Sequence, residues 1–176
     1  VAATGSNEGM TVTAMAHEAD YAEMRRAMVN SQLRVSDVND PAILAAFGSL
    51  PREDFVPAPW AAVAYMDRAI PMGDGRTLAP PLTHGQMLVL AAPCKGERAL
   101  VISDTGYLAA LARALGLDVT EIAPGQLAAR RKGDPFDLVL VDLDVRGGMG
   151  GKECIARLKA EFLSLKALLT TGYIDD

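Results

Sequence analysis

The stretch from Phe136 to Asp144 reads FDLVLVDLD and constrains the fold more than any other part of the chain. Six of its nine residues are apolar. An apolar run of this length, with β-branched members, predicts a strand of a parallel sheet that is buried on both faces. The carboxylates of Asp142 and Asp144 come at its C-terminal end, the edge where open parallel sheets bind ligands. The stretch therefore predicts a fold class and a candidate site together.

From residue 95 onward the chain alternates between strand and helix patterns, which predicts right-handed βαβ units. The predicted fold class is α/β, with a three-layer Rossmann-like parallel sheet preceded by an N-terminal helical segment. The predicted strands are Arg98–Ile102, Val119–Ala123, 136–143 and Lys166–Thr170. The predicted helices between them are Gly106–Leu115, Gln126–Arg131 and Gly151–Phe162.

The N-terminal half carries helix signals instead. A helix is predicted over residues 21–33, and Asp40-Pro41 is an N-cap followed by proline at the first helical position. The capping-box spacing of Thr83 to Gln86 predicts a third helix start. Residues 1–9 are interpreted as a linker, with Met10 as the native start. The predicted regions are a flexible segment (1–19), a helical and extended region (20–94) and the α/β domain (95–176).

The composition of the chain argues against several classes of function. Hydrophobic residues make up 50% of the 176 residues and charged residues 22%, which indicates a globular protein. A net charge of −5 argues against a nucleic-acid or anionic membrane surface, and no apolar run reaches the roughly 18 residues of a membrane span. Cys94 and Cys154 are not in CxxC spacing, which argues against a zinc site or disulfide framework. We expect reduced thiols and a cytoplasmic location.

Two strings in the N-terminal half are distinctive: Pro51-Arg52-Glu53-Asp54-Phe55-Val56-Pro57, then Ala64-Tyr65-Met66-Asp67. With the preceding helix over residues 24–34, they resemble the protein-L-isoaspartate O-methyltransferases, and the resemblance covers about residues 20–123. It implies a protein that uses S-adenosylmethionine to methylate the carboxylate of damaged aspartyl residues in a protein substrate.

The same resemblance implies where the cofactor binds. It assigns the loop after the first strand to the cofactor through Asp104, Thr105, Gly106 and Tyr107, and Glu121 is the acid nearest to the family's ribose-binding position. The chain departs from the family pattern because only Gly106 remains of the loop glycines. Ala79 also occupies a position where the family has a hydroxyl. These departures predict a weak or inactive methyltransferase.

The C-terminal half suggests an alternative. Residues 137–143, 147–153, 155–159 and 166–173 are similar to the receiver domains of response regulators, and this second resemblance covers about residues 98–176. That resemblance implies a phospho-acceptor at Asp142, a Mg²⁺ ion held by Asp104 and Asp142, and Thr170 as the hydroxyl that senses the phosphoryl group. Carboxylate oxygens are suitable ligands for Mg²⁺.

A third hypothesis is a non-catalytic α/β domain that acts through protein contacts. The strand over Lys166–Thr170 is predicted to lie at a sheet edge, so we expect it to pair with a second copy or to be shielded by the N-terminal segment. His84 is expected to be structural or solvent-facing, since it has no Ser or Cys nearby in the sequence that would suggest a triad.

Overall fold

The computed structural model describes residues 21–124, 126, 136–143 and 166–171. Several predictions lie outside these residues: the flexible segment 1–19, the helices Gln126–Arg131 and Gly151–Phe162, and the loop acid Asp144. Within the described part of the chain, no helix is long and apolar enough to cross a membrane.

The N-terminal region begins with helix α1, described over residues 21–28, which continues as a π turn over Val29–Leu33 and a 3₁₀ turn over Arg34–Ser36. Helix α2 spans Pro41–Ser49. The Asp40 carboxylate caps it by accepting hydrogen bonds from the backbone N–H groups of the second and third helical residues, at 2.8 and 3.0 Å. The predicted Asp40-Pro41 helix start is therefore confirmed.

Two 3₁₀ segments, Arg52–Phe55 and Ala58–Val63, lead to an antiparallel hairpin of β1 (Ile70–Gly73) and β2 (Arg76–Leu78). Helix α3 follows over Pro81–Ala91. The capping-box prediction at Thr83 was wrong, because the helix already begins at Pro81, where proline suits the first helical position.

In the described part of the chain, the remaining elements form a parallel sheet and one helix packed on it. They are β3 (Arg98–Ser103), α4 (Tyr107–Ala114), β4 (Asp118–Ile122), β5 (Leu138–Leu143) and β6 (Lys166–Thr171). All three strand pairs are parallel, and the order is β4-β3-β5-β6. The predicted α/β class with a parallel sheet is confirmed.

One hydrophobic core joins the N-terminal helices to the sheet. It includes Met28 of α1, Phe47 of α2, Leu88 of α3, Leu108 of α4 and Leu140 of β5, all of which are buried. The central strand β3 is buried from its second residue to its last, as expected for a strand covered on both faces. The N-terminal helices and the sheet therefore share one core.

Candidate functional site

The candidate site starts with the β3–α4 turn, which comprises residues 103–107. The backbone N–H of Thr105 donates to the Ser103 hydroxyl at 3.2 Å. Gly106 has φ +76°, a left-handed conformation that residues with a side chain rarely adopt, and Tyr107 begins α4 directly after it. The one loop glycine that remains is thus the residue on which the shape of the turn depends.

Glu121 of β4 lies beside this turn. A Cβ atom placed on Gly106 would be 3.8 Å from Glu121 Oε1, so the carboxylate faces the turn across a narrow space. The other oxygen, Oε2, lies 3.4 Å from Arg113 Nη2. The structure therefore brings together two parts of the predicted cofactor site, Gly106 and Glu121, that are distant in sequence.

Asp104 lies in the same turn, and its backbone carbonyl accepts a hydrogen bond from Arg76 Nη1 at 3.4 Å. Burial raises the pKa of the Asp104 carboxyl; Arg76 lowers it, and the negative charge of Asp142 raises it further. Asp104 and Asp142 are therefore close enough to interact electrostatically. In the described residues there is no group of three or more His, Cys, Asp or Glu side chains that could hold a metal ion, and Mg²⁺ is not supported.

Asp142 itself forms a buried pair that sequence reasoning missed. His84 Nε2 lies 2.9 Å from Asp142 Oδ2, and the two side chains are 0% and 3% exposed. In the sheet, Asp142 lies opposite Ser103 on one side and opposite Thr170 on the other. A covered, hydrogen-bonded carboxylate does not favour a phospho-acceptor, because the acceptor oxygen must reach an external donor.

The expectation for His84 allowed a structural or a solvent-facing position, and full burial excludes the second. No local signal in the sequence points to the pair, since its members are 58 residues apart. The only available hint was the acid at the end of an apolar strand, because a buried carboxylate requires a partner.

Arg52 is the second buried charge at this edge. Its guanidinium donates through Nε to the Ala64 carbonyl at 2.8 Å and through Nη2 to the Ala79 carbonyl at 2.6 Å. Its Cζ lies 4.6 Å from the centre of the Tyr107 ring. Burial lowers the pKa of Arg52, while Tyr107 and Asp142 act in the opposite direction. Burial likewise raises the pKa of the Tyr107 hydroxyl.

Comparison with known proteins decides the family. Residues 23–123 match the family model of protein-L-isoaspartate(D-aspartate) O-methyltransferase, which is more than half of the chain. The chain belongs to this family. The match contains the β3–α4 turn and Glu121, so the family resemblance seen in the sequence is confirmed. The receiver-like interpretation of residues 98–176 gains no support.

Three curated relatives illustrate the likeness. A protein-L-isoaspartate O-methyltransferase 2 from Anaeromyxobacter sp. is 41% identical over 88 residues, which cover 49% of this chain and 36% of the relative. Protein-L-isoaspartate O-methyltransferase from Gloeobacter violaceus is 36% identical over 70% of this chain and 61% of its own. The Methylorubrum populi protein of the same name is 34% identical over 66% of this chain and 67% of its own. The chain thus spans less than two thirds of the first two relatives.

Among solved structures, the chain is similar to a putative protein-L-isoaspartate O-methyltransferase from Plasmodium falciparum in complex with S-adenosyl-L-homocysteine. That likeness has a TM-score of 0.44 at 13% sequence identity, and it covers 84% of this chain and 62% of the other.

Proposed function

We propose that this chain binds S-adenosylmethionine at the β3–α4 turn and carries, in weakened form, the carboxyl methylation of isoaspartyl residues in protein substrates. Its family membership supports the reaction class. The observation that carries the proposal is the left-handed turn at Gly106 with the Glu121 carboxylate facing it. A close backbone approach beside an acid suits a nucleoside whose ribose hydroxyls can donate to that acid.

The residues present fit this cofactor in three respects. A Cβ on Gly106 would lie in van der Waals contact with Glu121 and Phe55 at 3.8–3.9 Å, so without one the backbone of the turn can itself meet a ligand group at that distance. Glu121 would accept hydrogen bonds from the ribose hydroxyls. The carboxylates of Asp104 and Glu121 lie at this edge beside Arg76 and Arg113, and either carboxylate could attract the cationic sulfonium. The cofactor, when bound, supplies the methyl group that the substrate carboxylate receives.

The substrate side explains why we propose weak activity. Ala79, the last residue before Pro80-Pro81, stands where the family has a hydroxyl and is 6% exposed. Its backbone carbonyl is used by Arg52, and its methyl side chain offers neither a donor nor an acceptor. We therefore expect cofactor binding to survive better than methyl transfer.

Calorimetry tests the binding. Titration of the chain with S-adenosylhomocysteine is expected to give saturable heat, and Glu121→Gln is expected to weaken the affinity about tenfold, or about 1.4 kcal/mol. Asp118→Asn is the matched control, because Asp118 is an exposed acid at the far end of the same strand. An absence of heat at millimolar ligand, or equal affinities for both variants, would contradict the proposed site.

Methyl transfer is tested separately with labelled S-adenosylmethionine and an isoaspartyl peptide. Slow transfer is expected from the wild-type chain, and Ala79→Ser is expected to raise the rate at least tenfold by restoring the hydroxyl. An unchanged rate would show that the missing hydroxyl is not the cause of the slow transfer.

We also propose a cytoplasmic location. It agrees with the reduced cysteines expected from the sequence, and Cys94 is a free, exposed thiol.

A further inference from the structure

We propose that Arg52, His84 and Asp142 form a buried positioning cluster around the Tyr107 ring that sets the backbone of the β3–α4 turn. The inference rests on the proposed function, because it gives these residues a role at the same cofactor site. They are positioning residues, since each acts through the turn and not through contact with the ligand.

The cluster surrounds Tyr107, the residue that ends the turn. Tyr107 is 0% exposed, and its ring centre lies 5.7 Å from that of His84 and 4.6 Å from Arg52 Cζ. Phe55 packs edge-on against the same ring at 5.2 Å. Phe47 of α2 packs on the ring as well, at 6.2 Å, so the start of α4 is held by side chains from three elements of the N-terminal region.

The other end of the turn is attached to the same cluster through the sheet. Ser103, which begins the turn, is the register partner of Asp142 on β5. The Ser103 hydroxyl accepts the Thr105 N–H, and Asp142 is held by His84. A displacement of Asp142 or His84 would therefore be transmitted to both ends of a turn that contains a single glycine.

The polarity of the cluster indicates that packing alone does not explain it. Arg52 and Tyr107 are both fully buried and interact with each other, and His84 pairs with Asp142 beside them. Apolar residues of similar size are often at least as stable as a buried ion pair. A cluster of buried polar and charged groups beside a site is therefore expected where function contributes to the choice of residues.

Amide hydrogen exchange measured by NMR on the full chain tests the proposal. Asp142→Asn and His84→Gln are each expected to speed exchange of the Thr105 and Tyr107 amides at least tenfold, while the core amides of β3 stay unchanged. The double variant is expected to exceed neither single variant by more than twofold, since both break one pair. Asp137→Asn is the control, because Asp137 is an exposed acid just before β5; the Arg98 amide, which donates to Asp137, is left out of that comparison.

A purely structural role would raise exchange across β3 and the turn alike, and that result would overturn the proposal, as would unchanged exchange at the turn. If either variant fails to fold, Tyr107→Leu gives a second test, since it keeps a buried apolar side chain but removes the ring that Arg52 and His84 contact. S-adenosylhomocysteine affinity should fall with the loosening of the turn. A wild-type chain that binds no S-adenosylhomocysteine would refute the proposed function, whereas the exchange measurements would still decide the positioning role.

Discussion

Replacing Arg52 by methionine tests how much the buried guanidinium contributes to the free energy of unfolding. Methionine keeps most of the apolar volume of the side chain but removes both hydrogen bonds to the Ala64 and Ala79 carbonyls. Hydrogen bonds from a charged group contribute about 1.5–3 kcal/mol each, and the lower value applies here because the burial of Arg52 is itself costly. Two such bonds give about 3 kcal/mol.

Asp142 adds to this loss. The positive charge of Arg52 acts without direct contact on this buried carboxylate, whose hydrogen-bonded partner is His84, so the substitution also removes a favourable electrostatic interaction. We therefore expect Arg52→Met to lower the free energy of unfolding by about 3–5 kcal/mol, a large part of the 5–15 kcal/mol typical of a domain. Urea denaturation followed by circular dichroism measures it.

A matched variant is Arg25→Met. Arg25 also makes two side-chain hydrogen bonds, to Tyr65 at 2.7 Å and Glu53 at 3.0 Å, but its side chain is 16% exposed and water can replace part of what is lost. We expect about 1–2 kcal/mol for this variant. Asp142→Asn should cost less in the Arg52→Met background than in the wild type, because the electrostatic attraction between Arg52 and Asp142 is already absent there. A loss below about 1 kcal/mol for Arg52→Met, or additive effects with Asp142→Asn, would refute the reasoning.

Three further predictions follow from the structure. Gly48→Ala in α2 should stabilise the protein by about 0.5–1 kcal/mol, because an added Cβ meets nothing within 4 Å. Gly116→Ala should destabilise it by about 1 kcal/mol, since the φ of Gly116 is +83° and a Cβ would lie 2.9 Å from Lys95 Cγ. Urea denaturation of the two variants measures both changes. The pKa of Asp104 is raised above its ordinary 3.8 mainly by burial, so its ionised form costs stability at neutral pH; Asp104→Asn should raise the urea midpoint at pH 7, and the gain should disappear well below pH 3.8. Strand β6 lies at the edge of the described sheet and should pair with a second copy or be shielded by the N-terminal segment; a monomer in light scattering with rapid amide exchange across Leu168–Thr170 would contradict this.

Features with local signals were predictable from the sequence. The apolar residues of β5 predicted a buried strand, and Asp40-Pro41 predicted the start of α2, because each depends on neighbours in the chain. The start of α3 was predicted wrongly, since the proline at Pro81 and the capping-box spacing at Thr83 are both local helix-start signals and only one can operate. Such competition is not resolved by sequence alone.

The candidate site was predictable only in part. The turn residues and Glu121 were named from the family resemblance, and the structure adds that Glu121 faces Gly106. The His84–Asp142 pair and the burial of Arg52 could not be predicted, because they depend on packing between the N-terminal region and the sheet across long sequence separations. The residues next to Arg52 in the sequence do not indicate that the carbonyls of Ala64 and Ala79 accept its hydrogen bonds.

Cofactor binding by the β3–α4 turn and Glu121 is tested most directly by an NMR titration of the ¹⁵N-labelled chain with S-adenosylhomocysteine. Saturable shifts are expected at the amides of Thr105, Gly106 and Glu121, and these shifts should be lost in Glu121→Gln. Saturation with no shift at these amides, or shifts confined to another part of the chain, would contradict it.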